Sequence, residues 1–154
     1  MAYFSRGNAY KSRGDFDNAI ADYTQAIRIS RKPFQGAIIN RANSYEEKGD
    51  LNHAIADYSQ AIQIWPDFAR AWWLRGLVYY ANGDYDRAIA DYDIAIKKTQ
   101  NQSDKAYGLY IRGLMKLKTS NATGRADIAE AEALKPDVAG SLPKWVTKYM
   151  ARPQ

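Results

Sequence analysis

One phrase of fourteen residues occurs three times in the chain. Gly14-Asp15-x-x-x-Ala19-Ile20-Ala21-Asp22-Tyr23-x-x-Ala26-Ile27 returns from Gly49 to Ile62 and from Gly83 to Ile96, at spacings of 35 and 34 residues. A fixed period in this range marks a solenoid, because each unit is too small to bury its apolar face alone and does so against its neighbours. The repeat constrains the architecture more than any other feature, and it names no ligand.

The periodicity inside each unit is helical. Ala19, Ile20, Tyr23, Ala26 and Ile27 fall on one face of a 3.6-residue helix. The preceding half of the unit carries a second stripe: Tyr3, Gly7 and Tyr10, then Ile38, Ala42 and Tyr45, then Trp72, Gly76 and Tyr79. Gly14-Asp15, Gly49-Asp50 and Gly83-Asp84 separate the halves; glycine ends one helix in the left-handed conformation and aspartate caps the next. The pattern predicts helices over 2–13, 16–30, 36–48, 51–64, 68–82 and 85–98, with Pro66 as a stop after the fourth. A fourth, degenerate unit follows, with helices over about 104–118 and 124–134 and Thr119–Gly124 in place of the Gly-Asp turn. From Asp137 onward a capping helix is expected, about 138–151, with Trp145, Val146, Tyr149 and Met150 on one side. Pro143 lies in its first turn behind Ser141, or kinks a longer helix.

These residues resemble the tetratricopeptide repeat family, a 34-residue helix–turn–helix unit. The likeness covers residues 2–136 and rests on positions that recur together: Trp72, Gly76, Tyr79, Gly83, Ala88, Tyr92, Ala95 and, in the second unit, Pro66. It implies an all-α, right-handed superhelical solenoid with repeats over about 2–33, 35–67, 69–101 and 104–136. In the family the leading helices line a concave groove that holds a peptide or protein segment. The sequence departs from the family pattern twice in every unit. Arg6, Arg41, Arg75 and Arg112 stand where a leucine is usual, and Asp22, Asp57, Asp91 and Asp127 stand where an aromatic residue is usual. The expectation is four partly buried pairs, each tying a leading helix to its partner, since a buried guanidinium needs a planar acceptor. Four exposed arginines on a solvated face are the alternative.

Groove residues follow from the position of each leading helix. They are Phe4 and Asn8 in the first unit, Ile39 and Asn43 in the second, Trp73 and Leu77 in the third, Tyr110 and Leu114 in the fourth, with Tyr80 and Leu117 one turn further on. Trp73, Leu77, Tyr80, Tyr110 and Leu114 are expected to form a contiguous apolar patch, the kind of surface that marks binding. A C-terminal helix folded back over this patch, or packing of Tyr80 and Leu117 between units, would remove it. The clamp with which some family members hold a terminal carboxylate is half present: Asn8 and Asn40 fill its asparagine positions and Arg70 one basic position, while Phe4 and Leu74 occupy the others. A hydrophobic or aromatic peptide with an acidic group near Arg70 fits better than a chaperone tail.

The remaining signals narrow the class. The chain holds no cysteine, so neither a disulfide scaffold nor a thiolate metal site is available. Its net charge of +5 is spread evenly along the chain, without the like-charged block of a nucleic-acid arm. No apolar stretch approaches the roughly 20 residues of a spanning helix. Met1 begins almost inside the first helical pattern, which reads as a fragment of a longer protein; a cytoplasmic location is expected, with an upstream signal left open. The lone His53 reads as a surface residue, and Glu46-Glu47 and Asp15/Asp17 as turn-edge acids rather than metal ligands. Asn101-Gln102-Ser103 and Asn121-Ala122-Thr123 match the glycosylation pattern by chance. The expectation is a non-catalytic scaffold with a protein or peptide partner, without cofactor, metal, nucleic acid or membrane. The alternative is a homo-oligomerisation module using the apolar groove or a terminal repeat. Single-stranded RNA binding is disfavoured by apolar Trp73, Leu77, Tyr110 and Leu114.

Overall fold

The computed structural model describes residues 2–150. Nine helices lie among the described residues: α1 Ala2–Ser12, α2 Phe16–Ile29, α3 Gln35–Glu47, α4 Leu51–Ile64, α5 Ala69–Ala81, α6 Tyr85–Lys98, α7 Gln102–Lys118, α8 Gly124–Leu134 and α9 Lys144–Met150. They pair as hairpins, α1 with α2, α3 with α4, α5 with α6 and α7 with α8. The helices group into two compact units, Met1–Asp67 and Phe68–Gln154.

The turns show why the repeated phrase begins with glycine. Gly14, Gly49 and Gly83 have φ of 78°, 81° and 77°, and each is followed by the aspartate that caps the next helix. Asp15, Asp50 and Asp84 accept from the backbone N–H of Asn18, His53 and Arg87. The turn of the fourth hairpin keeps the backbone and loses the residue: Ser120 adopts φ 59°. Its hydrogen bonds, Ser120 N–H to Leu117 O and Asn121 N–H to Lys116 O, copy those of Gly14 to Lys11 and Asp15 to Tyr10. A left-handed conformation costs a residue with a Cβ about 1–2 kcal/mol. We therefore expect Ser120→Gly to stabilise the chain by about 1 kcal/mol in urea denaturation. Gly49→Ala, whose Cβ would meet nothing within 4 Å, should destabilise it by a similar amount.

In the first unit, Tyr23, Ala19, Ala26 and Ala37 form a core on which Phe4, Tyr10, Ile27 and Phe34 pack. In the second, Ile96, Ala106, Leu109, Ala131 and Val138 gather Tyr107, Tyr110 and Leu134 around them. Small residues set the helix spacing. A Cβ on Gly7 would stand 2.8 Å from the Tyr23 ring, and one on Gly76 would stand 2.8 Å from the Tyr92 ring.

The capping helix is shorter than the sequence suggested. Residues 137–141 form turns, and α9 starts at Lys144 rather than near 138. Pro143 sits just ahead of it, its carbonyl accepting from Val146 and Thr147 N–H. Proline has no N–H to donate and disfavours helical backbone at the residue before it, so the helix cannot run back through 142. Helix α9 packs against α5, with Val146 and Tyr149 buried. Residues beyond 150 in the expected capping helix lie outside the described residues.

Candidate functional site

The arginine and aspartate that replace apolar residues in every repeat face each other. Arg6 Nε and Nη2 donate to the two carboxylate oxygens of Asp22 at 2.7 Å each. Arg41 grips Asp57 at 2.8 and 2.7 Å, Arg75 grips Asp91 at 2.8 and 2.7 Å, and Arg112 grips Asp127 at 2.7 Å twice. All four aspartates are buried. The arginine side chains of the last three are 15–17% exposed, whereas that of Arg6 is 59% exposed. Burial pushes the Asp91 carboxyl above the ordinary aspartate range against the pull of Arg75. At Asp127 burial pulls the same way, but Arg112 and Lys116 outweigh it and the carboxyl sits below that range.

Two of these arginines also reach back to the preceding hairpin of their own unit. Arg41 Nη1 donates to Thr24 Oγ1 at 3.1 Å, and Arg112 Nη1 donates to Asp93 Oδ1 at 2.7 Å. Thr24 and Asp93 each lie two residues after a fork aspartate, so the guanidinium joins helices both within and between repeats. The doubled role was not read from the sequence, although the position two after each of the first three fork aspartates is polar, as Thr24, Ser59 and Asp93.

In the first unit the candidate groove asparagines are engaged in two sets of hydrogen bonds within the chain. Asn8, exposed on α1, accepts at its Oδ1 from Tyr23 Oη and Asn40 Nδ2, both at 2.8 Å. Asn43 accepts from Tyr58 Oη, which also donates to Glu46 Oε2 at 3.2 Å. Phe4 is half-buried against the rings of Tyr23 and Phe34, and Ile39 is buried. Asn8 and Asn40, placed at clamp positions by the resemblance, are thus bonded to each other.

The second unit corrects the expected apolar patch. Leu77 is fully buried, and Trp73 and Tyr80 are 7% and 5% exposed. Leu77 belongs to the packed interior of α5. Tyr80 lies edge-on to Tyr85 at 5.5 Å, with Lys118 Nζ 5.4 Å from its ring. Leu74, at a clamp position, is also buried. Three of the five expected patch residues are therefore core, which the helical stripe could not distinguish because α5 is apolar nearly all round. Tyr110 and Leu114 remain half-exposed one turn apart on α7, and Arg70 is exposed on α5. Leu117 is 37% exposed.

Other sequence signals have local explanations. His53 is exposed; its Nδ1 lies 2.7 Å from Asp50 Oδ2 and its ring stacks on Tyr45. Asn101 caps α7 by accepting from Asp104 N–H at 3.0 Å, and Asn121 accepts from both Thr123 N–H and Oγ1. Among the described residues no cluster of three or more His, Asp or Glu side chains is arranged to hold a metal ion. No helix there is long and apolar enough to cross a membrane.

Paired helices repeating at about 34 residues, with a left-handed glycine in each regular turn, define an all-α helical repeat solenoid. Models of the tetratricopeptide repeat match residues 1–33 and 39–106. The chain belongs to the tetratricopeptide repeat family. No curated protein matches the sequence. Among solved structures, MamA is 19% identical with a TM-score of 0.78 over 90% of this chain and 79% of its own. YrrB, described as a TPR protein with an unusual peptide-binding site, is 16% identical with a TM-score of 0.73 over 88% of this chain and 69% of its own. The first TPR of Spaghetti (RPAP3), bound to an HSP90 peptide, is 19% identical with a TM-score of 0.60 over 86% of this chain and 89% of its own. At these identities the likeness establishes the fold.

Proposed function

We propose that the chain is a non-catalytic scaffold that binds a peptide or protein segment on the leading helices of its second unit. One observation carries this: Tyr110 and Leu114 stay partly exposed on one face of α7 while Trp73, Leu77 and Tyr80 of α5 are buried. Residues four apart on a helix share one face, and tyrosine and arginine are among the residues enriched at interface hot spots. Arg70, exposed on α5, supplies a cation for an acidic group. The peptide-binding site of YrrB and the HSP90 peptide bound to the RPAP3 domain support the class of ligand.

Because Trp73 is core, truncating it would open a cavity and confound the test. Tyr110→Ala combined with Arg70→Glu leaves the buried residues in place. Recovery of bound partners on the immobilised double variant is expected to fall at least tenfold against the unmodified chain, with a cooperative melt retained at a lower midpoint because the Tyr110 ring also packs on the core. Equal recovery would place the binding surface elsewhere.

A second reading has its own observation in the first unit. Ile29 and Tyr3 are 56% and 38% exposed, beside an apolar recess of about 340 Å³ that also involves Phe34 and Pro33. Self-association through this edge would raise the mass with concentration and be abolished by Ile29→Glu. A constant monomer mass over a tenfold concentration range would exclude it.

A further inference from the structure

The third regular turn differs from the first two in the residue ahead of its left-handed glycine. That position is Arg13 in the first hairpin, Lys48 in the second and Asn82 in the third. A cation suits the place, because the C-terminal end of a helix carries a partial negative charge. Asparagine followed by glycine brings a different chemistry. Its side-chain amide carbon can close a five-membered ring with the next backbone nitrogen, and Gly83 has no Cβ to obstruct the closure. No other asparagine of the chain is followed by glycine.

The surroundings leave the pair accessible but hold it in an unreactive geometry. Asn82 and Gly83 are exposed, and a Cβ on Gly83 would meet nothing within 4 Å. Asn82 has φ −88° and ψ 2°. At that ψ the Gly83 nitrogen eclipses the Asn82 nitrogen and stands away from the Asn82 side chain. The Gly83 N–H also donates to Tyr80 O at 3.0 Å. Ring closure therefore waits on a local opening of the turn, and exposed loops need the least free energy to open.

We infer that Asn82-Gly83 is a site of self-modification, gated by opening of the α5–α6 turn, and that its product weakens the third hairpin. The Gly83 nitrogen gives up its proton and attacks Cγ of Asn82. The N–Cγ bond forms, the Cγ–Nδ2 bond breaks, and ammonia leaves with the proton, giving a succinimide. Water then adds at one of the two ring carbonyls. Cleavage of the new N–Cγ bond yields aspartate. Cleavage of the original peptide bond yields isoaspartate, whose main chain runs through the side-chain carbons. Water is the only co-reactant.

Either product puts a carboxylate where the other two hairpins keep a cation. Asp84 and Asp86 line the same shallow recess as Asn82, so the new charge meets like charges there. Lys118, next to Thr119 on the recess wall, lies 5.4 and 5.8 Å from the rings of Tyr80 and Tyr85, and a carboxylate would compete with them for it. Isoaspartate also lengthens the main chain. That displaces Gly83 and Asp84, whose N–H groups donate to Tyr80 O and Tyr79 O, and with them the Asp84 cap on the Arg87 N–H.

The test incubates the full chain at neutral and mildly alkaline pH and follows it by peptide mapping, with fragmentation that separates isoaspartate from aspartate. Conversion should appear at Asn82 before any other asparagine and should rise with pH. It should run about tenfold or more faster in urea, where the turn is already open. The converted fraction, separated by anion exchange, should melt below the unmodified chain. Asn82→Lys, which copies the second hairpin, should keep its melting temperature through the same incubation, and Asn82→Asp should start below the unmodified chain. The mapping in urea needs no folded variant and stands by itself. Earlier conversion at another asparagine, equal rates with and without urea, or an unchanged melt of the converted fraction would overturn the inference.

Discussion

Asp57→Leu is expected to lower stability by about 3–5 kcal/mol, and adding Arg41→Leu to the same chain to restore most of it. Asp57 is buried and holds the Arg41 guanidinium at 2.8 and 2.7 Å. With the carboxylate gone, the cation keeps Thr24 Oγ1 at 3.1 Å and stays largely out of water, with 17% of its side chain exposed. Breaking one half of a buried pair strands a desolvated charge, which is the expensive case; replacing both halves with apolar groups of similar volume is often neutral or stabilising. The double variant also returns one fork position to the leucine usual in the family. Urea midpoints of the two single variants and the double one complete a double-mutant cycle. Arg6→Leu and Asp22→Leu should show a smaller coupling, because the Arg6 side chain is 59% exposed and water can replace its partner. If the Asp57→Leu/Arg41→Leu chain were as unstable as the worse single variant, the fork would not be what joins α3 to α4.

Gly113→Ala is expected to cost about 2 kcal/mol, and Gly76→Ala less than about 1 kcal/mol. Both glycines hold the same place on a leading helix, but they face different obstacles. A Cβ on Gly76 meets the Tyr92 ring at 2.8 Å, and a Cβ on Gly113 meets the backbone oxygen of Gly124 at 2.7 Å and Ile128 Cγ1 at 2.8 Å. A ring can turn aside, as the buried Ala42 at the corresponding place of the second hairpin demonstrates, whereas a helix backbone can yield only by moving the helix. Overpacking of that kind typically costs about 1–3 kcal/mol, offset by the roughly 0.5–1 kcal/mol gained when alanine replaces a helical glycine. Equal midpoints for the two variants would mean that α7 and α8 are not in backbone contact.

The helices were legible in the sequence because stripe, turn and cap repeat together: Gly49 and Asp50 mark one boundary as clearly as Gly83 and Asp84 mark another. The forks were legible because two apolar positions change to opposite charges in step, Arg75 with Asp91 as Arg41 with Asp57. The candidate surface was harder to read. Trp73, Leu77 and Tyr80 lie on a helix that is apolar on almost every side, so periodicity cannot separate a face turned to solvent from one turned to α6, α7 or α9. The reach of Arg112 to Asp93 depends on how one hairpin leans on the next, which no local pattern encodes. The third hairpin's departure had a visible signal in Leu77, which stands where the first two hairpins place Asn8 and Asn43. Its meaning required knowing that those asparagines accept from Tyr23 and Tyr58.

Photo-crosslinking tests the scaffold reading most directly. A benzoylphenylalanine placed at Tyr110 should capture a partner segment that excess unmodified chain competes away, while the same group at Ile29, exposed on the first unit, should capture none of it. Capture from position 29 alone, or crosslinks only between copies of the chain, would contradict binding on α7.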